Sequence, residues 1–434
     1  MNNRRTRNRR RYMSKNKNKN KTRTYKAIKS RKMGNKPRGG AAVKAGSYGC
    51  VFSPNLKCAH NTESDKHAAH SVNETGMISK LMYKRDAENE LNEVAELNLL
   101  LKKIPNQEMY FLSNSTYSCS PQRLSSNDLD NFETCNMLVD ENITKENVND
   151  NLGKLSILNM KNGGVDMDEY LRNIGPGTTD YLKIINENLI KLLKFGIIPL
   201  NLLKFNHYDV KSGNVLINDK YEIRLIDWGL ASSHDGKHIP RIITNRSFAF
   251  NIPYSIIFFN EFIKGWIHNE YKRHNLIESS IGKKEIIRII SINLVNFIIH
   301  KHSGHETTIV HIMRSLYREY IESREGVTDK GFISSSIASA NLVEYIYTVM
   351  LTYTNDLGVF DDVTFFHEIF AFNSDIFGFI IIYESILNTL NLSRIVRDKI
   401  IKILLKYCVG SEFAAKRINI DILVNELEGI TNNR

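Results

Sequence analysis

The stretch HYDVKSGNVLIND (207–219), followed after four residues by RLIDWGLA (224–231), decides the reading of this chain. It places His207, Asp209, Lys211 and Asn214 ahead of Asp227 and Gly229, with two short β-like runs, Val215 to Ile217 and Ile223 to Ile226, between them. Two carboxylates and an amide on loops flanking a hairpin suit phosphoryl transfer, in which positioning and metal ions carry most of the catalysis. Asp209 can orient an attacking hydroxyl and accept its proton. Asn214 and Asp227 offer oxygen ligands for Mg2+, a hard cation that keeps waters and binds few protein groups. Lys211 can neutralise charge on the transferred group, and Gly229 permits the backbone turn behind a metal ligand. Singly, each residue has a plainer reading, Asp and Asn as turn formers and Lys211 as a solvated charge. The fixed spacing of the set is what specifies chemistry.

Upstream, VKAGSYGCVF (43–52) sets Val43, Lys44, Gly46, Ser47, Tyr48, Gly49 and Val51 in a strand-turn-strand context, where small residues let backbone N–H groups approach phosphates. The first glycine of a GxGxxGxV pattern is replaced by Lys44, so this motif alone is close to a plain hairpin turn. In MISKLM (77–82), an inward Lys80 flanked by Ile78 and Met82 is costly unless paired, which makes it the phosphate-binding lysine, with Lys84 as the fallback. From Asp86 to Lys103 an amphipathic helix presents carboxylates toward it. Glu96 best fits the usual spacing, Glu93 lies one turn earlier on the same face, and Glu90 stays open.

These phrases, GSYGCVF, ISKLM, HYDVKSGNVLI, IDWGLA and FNIPYS, resemble the protein kinase superfamily, and especially the divergent serine/threonine kinases encoded by large DNA viruses such as mimiviruses. The resemblance spans about residues 41 to 260. It implies a two-lobed α+β kinase-like fold, with a small β-rich N-lobe carrying one helix and a large, mainly helical C-lobe. It further implies ATP and Mg2+ as cofactors, Asp209 as catalytic base beside Lys211, Lys80 as the ATP lysine, Asn214 and Asp227 as metal ligands, and Leu158 to Gly164, Met160 included, as the adenine-binding hinge. Lys two residues after the base resembles the serine/threonine group, so protein hydroxyls are the implied substrate. The sequence departs from the family at Tyr208 for the Arg of HRD, at Trp228 for the Phe of DFG, and at NIPYS (251–255), where APE would stand. A scaffold without catalysis would not need all of Lys80, Asp209, Asn214 and Asp227. Small-molecule phosphotransferases of the aminoglycoside or choline kinase type usually lack the equivalent of Lys211.

The rest of the chain organises around this centre. Residues 1–40 read as a basic disordered tail: the first 38 residues hold 17 of the 59 Lys and Arg and none of the 47 acids, so the remainder is mildly acidic. Such a tail fits contact with nucleic acid or another polyanion, or a localisation address. Residues 41–160 read as the N-lobe: two strands between Val43 and Leu56, a third at Met77 to Met82, a short strand at Met109 to Leu112, a structureless polar insertion at about 113–151, and a strand at Leu155 to Met160. Residues 161–434 read as the C-lobe, helical from Tyr181 to Phe195 and again after about Asn251. The five cysteines lack CxxC spacing and are odd in number, which points to free thiols rather than a disulfide framework or a zinc site. No run of 18 apolar residues occurs, the stretch Asp375 to Leu390 being broken by Glu384, and no apolar segment follows the basic start. The expectation is an intracellular, soluble protein with no membrane partner.

Overall fold

Alternating small and apolar side chains with two glycines favour strands at the start of the globular sequence, and there the chain forms an antiparallel hairpin, β1 (Ala41–Gly46) and β2 (Gly49–Ser53). The structure, a computed structural model, describes residues 41–432 apart from 47–48, 60–75, 113–115, 175–178, 278–281, 302–304 and 323–329. The basic tail, and Ser47 and Tyr48 of the glycine-rich turn, therefore lie outside the described residues. The described residues belong to one compact unit.

The hairpin opens a five-stranded antiparallel sheet, ordered β1-β2-β3-β5-β4, with β3 at Met77–Tyr83, β4 at Tyr117–Cys119 and β5 at Leu155–Lys161. In β3 the two-residue period buries Met77, Ser79 and Leu81 on one face and leaves Ile78 and Lys80 half-buried on the other. Helix α1 (Lys84–Leu101) starts directly from β3, so Lys84 is an exposed first-turn residue. Gly49 has a packing reason of its own: a Cβ there would come within 2.8 Å of the Leu81 carbonyl oxygen and 2.9 Å of Met82 Cβ.

Two expectations for this region are corrected. Met109 to Leu112 is not a strand of the sheet; residues Gln107–Met109 form a helical turn and Phe111 bridges to Leu225 instead. The polar stretch near 113–151 is not structureless. It supplies β4 and short helical turns, and its sparse apolar residues, Leu124, Phe132, Leu138, Ile143 and Val148, are buried against Phe52, Leu81 and Ile157 of the sheet. The free-thiol expectation is corrected with it, because Cys50–Cys135 and Cys58–Cys119 are disulfides that join this stretch to β2 and its following loop. Only Cys408, which is buried, is a free thiol.

Beyond β5 the chain is largely helical. A short sheet of β6 (Val165–Asp166), β8 (Val215–Ile217) and β9 (Ile223–Leu225), and a pair of β7 (Phe205–Asn206) with β10 (Ser232–Ser233), interrupt it. Helices α2 (Met167–Ile174), α3 (Thr179–Lys191), α4 (Glu261–Ile277), α5 (Lys283–Lys301), α6 (His305–Glu322), α7 (Lys330–Tyr353), α8 (Ala371–Thr389), α9 (Arg394–Leu404) and α10 (Ile420–Thr431) follow. Apolar on every side, α8 runs through the centre of the core. The helical stretch Asp362–Thr389 is long and apolar enough to cross a membrane by composition, and 83% of its most apolar window is buried inside the protein.

Candidate active site

The loop after β7 is shaped by backbone that few residues adopt: Tyr208 has φ 57° and Asp227, after β9, has φ 67°. Such turns persist where surrounding contacts determine them. For Tyr208 the contact is Asp375 in α8, whose carboxylate accepts from the backbone N–H of His207 at 2.8 Å and of Tyr208 at 2.7 Å, and from the Asn206 side chain at 3.3 Å. Burial pushes the Asp375 carboxyl up to about 6, against those donors, which favour the anion. Gly378, one turn on, lets the helix backbone approach: a Cβ there would lie 2.4 Å from the Val210 carbonyl oxygen and 2.9 Å from that of Asn251. The sequence reading missed both residues.

His207 ties the loop to the strand that precedes Asp227. Burial pulls its pKa down to about 4, so the ring is neutral. Its Nδ1 accepts from the Asp209 N–H at 3.2 Å, which leaves Nε2 to donate to the Ile226 carbonyl at 2.9 Å. The ring also packs against Trp228, with centroids 4.8 Å apart, and Trp228 in turn packs edge-on against Phe111 at 5.4 Å.

Asp209 is the most heavily engaged group in the loop. One carboxylate oxygen accepts from Lys211 Nζ at 2.7 Å and Asn214 Nδ2 at 2.8 Å; the other accepts from Asn251 Nδ2 at 2.9 Å and Arg246 Nη2 at 3.4 Å. Burial would push this carboxyl up, but the hydrogen bonds of Lys211 and Asn251 and the charges of Lys211 and Arg246 outweigh it and hold Asp209 below its usual range. The Asn214 amide nitrogen also donates to the Asp209 carbonyl at 2.8 Å, so its oxygen is the atom left for a ligand. The backbone N–H of Ile226 donates to the Asn214 carbonyl at 2.9 Å, so the backbone that carries Asp227, an exposed residue, runs beside that of Asn214. Among the described residues no three His, Cys, Asp or Glu side chains form a metal cage. An amide oxygen with one exposed carboxylate fits Mg2+, which completes its shell with water and phosphate oxygens.

Lys80 forms a separate pair on the sheet. The spacing points to Glu96 or Glu93, and the structure corrects this: Lys80 Nζ meets Glu90 Oε2 at 2.6 Å, while Glu93 and Glu96 are exposed. Because α1 begins with no intervening loop, the residue less than two turns into the helix already stands over the middle of β3. Val51 and Leu158 flank Lys80 across the sheet, and Met160 pairs with Ile78 on β5. Val43 is an exposed residue of β1, and Lys44 and Gly46 pair with Val51 and Gly49. No protein-family model matches this chain, and no curated protein matches it.

Proposed function

We propose that this chain is a serine/threonine protein kinase with the two-lobed kinase fold, using ATP and Mg2+. The observation that carries the reading is the shared Asp209 carboxylate, held ionised by Lys211, Asn251 and Arg246 and bonded by Asn214 on the same oxygen as Lys211, with the backbone of Asp227 brought alongside that of Asn214 through Ile226. The order of the sheet, with an ion-paired lysine in its central strand and a helix carrying the partner, supports it.

In this mechanism Asp209 accepts a hydrogen bond from the substrate hydroxyl, orients its oxygen and takes its proton as that oxygen bonds to the γ-phosphorus and the bond from phosphorus to the β–γ bridging oxygen breaks, with ADP as the leaving group. Lys211 stands beside the same carboxylate and offsets negative charge on the transferred group. Lys80, kept extended by Glu90, holds the nucleotide phosphates, and Met160 and its neighbours in β5 line the adenine side. Asn214 and Asp227 would hold the metal. ATP would supply the phosphoryl group, and Mg2+ would offset the negative charge of its phosphates.

The test is purified protein with γ-labelled ATP, Mg2+ and generic acceptors such as casein and histone. Wild type should label acceptor Ser or Thr, and Asp209→Asn should lower the rate by about 10² to 10⁴. Equal labelling by the two proteins, or none by wild type, sinks the reading.

A further inference from the structure

Arg246 is a buried cation with no counterpart in the reading above. Its side chain is only 7% exposed, its Nη2 lies 3.4 Å from Asp209 Oδ1, and its Nε and Nη1 are buried without a partner. A guanidinium is removed from water at a cost of several kcal/mol, so a buried one is held by its charge environment. Here that environment is the negative charge of Asp209, with Asp375 and the Tyr208 ring also within electrostatic reach. From the same segment, Asn251 donates to the same carboxylate oxygen and to the Val210 carbonyl at 3.2 Å. Between these two anchors the chain buries Phe248 and Ala249.

We propose that Arg246 is a positioning residue that ties the 241–253 segment to the Asp209 carboxylate, so that the segment keeps its substrate-accepting arrangement with none of its hydroxyls phosphorylated. The inference rests on the kinase reading for its consequence in rate, and on the contacts alone for the tie. The geometry leaves a segment phosphate little to bind. Arg246 is already turned inward on Asp209, and position 208, which follows His207 in the loop, carries a neutral phenol. Of the hydroxyls between Asp227 and Pro253, Thr244 donates to the Arg241 carbonyl at 3.1 Å and Ser232 to the Ser233 carbonyl at 3.1 Å, both local contacts within the chain's own turns.

The experiment uses the full chain made in bacteria, stripped with a phosphatase and shown by mass spectrometry to be bare at Ser232, Ser233, Thr244 and Ser247. Three proteins are compared: wild type, Arg246→Met and Arg246→Lys. Each is measured for kcat and KM on an acceptor, for affinity toward Mg2+-ADP, and for amide hydrogen exchange across 241–253. Bare wild type should transfer at a rate within about threefold of the rephosphorylated enzyme. Arg246→Met should lose about 10² in kcat, with Mg2+-ADP affinity within about twofold and exchange across 241–253 faster than in wild type, because only the tie has gone. Arg246→Lys should recover at least about tenfold of that loss, which a residue needed only for packing would not do. Unchanged or increased kcat in Arg246→Met overturns the proposal, an increase marking Arg246 as a blocking group. So does a drop of more than about tenfold in bare wild type that rephosphorylation restores. If wild type transfers nothing in any state, the kinase reading fails, and the exchange arm still decides the tie: equal protection of 241–253 in wild type and Arg246→Met refutes it.

Discussion

A carboxylate inside an apolar helix is unusual enough to need a reason, and at Asp375 the reason is the His207 and Tyr208 amides, which it alone accepts from, with the Asn206 side chain as a further donor. Asp375→Ala would leave the His207 and Tyr208 amides buried without an acceptor, while the Asn206 side chain keeps its bond to the Ala371 carbonyl at 2.6 Å. A loss of about 3 kcal/mol in unfolding free energy is expected, read as a lower urea midpoint at unchanged m-value. A change below about 1 kcal/mol would mean that the loop relaxes to water instead. At Lys80 the single-residue question is which carboxylate matters. On the proposed kinase activity, Glu90→Gln should raise the KM for ATP or lower kcat by about tenfold or more, while Glu93→Gln and Glu96→Gln stay within about twofold, since both are exposed. Asp209, Lys211, Asn214 and Asp227 could be found by eye because polar side chains at fixed spacing between two short apolar runs have few other uses. Asp375 could not, because hydropathy reads Asp375 to Leu390 as core, and one acid at the head of such a run looks like a boundary. The signal was the acid followed three residues later by Gly378 in an apolar run, a pairing that allows close backbone approach.

Elements with a strict period were legible and those without one were not. The alternation of MISKLMY and the helical repeat after Asp86 placed β3 and α1 within a few residues of where they stand. The stretch from 116 to 151 has five buried apolar residues at irregular intervals and no period to read, so its fold comes from docking on the sheet rather than from local preference. Its cysteines gave no spacing signal because each pairs with a partner far away in sequence, 85 residues apart for Cys50–Cys135 and 61 for Cys58–Cys119. Disulfides are unusual in a reducing compartment, so the cysteine argument for an intracellular protein no longer stands. Under denaturing, non-reducing conditions a thiol reagent should titrate one group, Cys408, and five after reduction. By loop-closure entropy each bridge contributes about 4 kcal/mol alone, and less as a pair because one loop is nested in the other. Reduction should therefore lower Tm and open 116–151 first to protease. Three reactive thiols before reduction would show that one bridge does not form, and five that neither does.

For the molecule as a whole, the helical region reaches the candidate site at two depths, through α8 at Asp375 and through a histidine contact nearer the surface. His234, just after β10, faces His367 in the turn leading into α8, with ring centroids 5.3 Å apart, and the ring edges meet Phe366. Burial first, and for His234 also the neighbouring His367, with Lys204 adding to both, lower the two pKa values from 6.5; Asp235 opposes this at both rings, and His238 adds a little at His367. A depressed folded-state pKa means that the unfolded chain binds the proton more tightly. The pair thus contributes stability that is present above pH 6.5 and is lost as pH falls toward the folded-state values. Acid conditions also titrate the carboxylates of the whole chain, so the pair must be isolated by difference. Wild type and His234→Gln/His367→Gln should be melted at intervals from about pH 7.5 to 5 at constant ionic strength, and the fall in Tm should be shallower in the double variant. Because His234 follows β10, whose partner β7 leads directly into the Asp209 loop, the same protonation should loosen the strand pair beside the site before the protein unfolds. Hydrogen exchange of Phe205 and Asn206 would then rise between pH 7 and 5.5, after correction for the intrinsic rate, in wild type and not in the double variant. Parallel melting curves for the two proteins would show that the rings take up protons without strain, and that the contact only fills space.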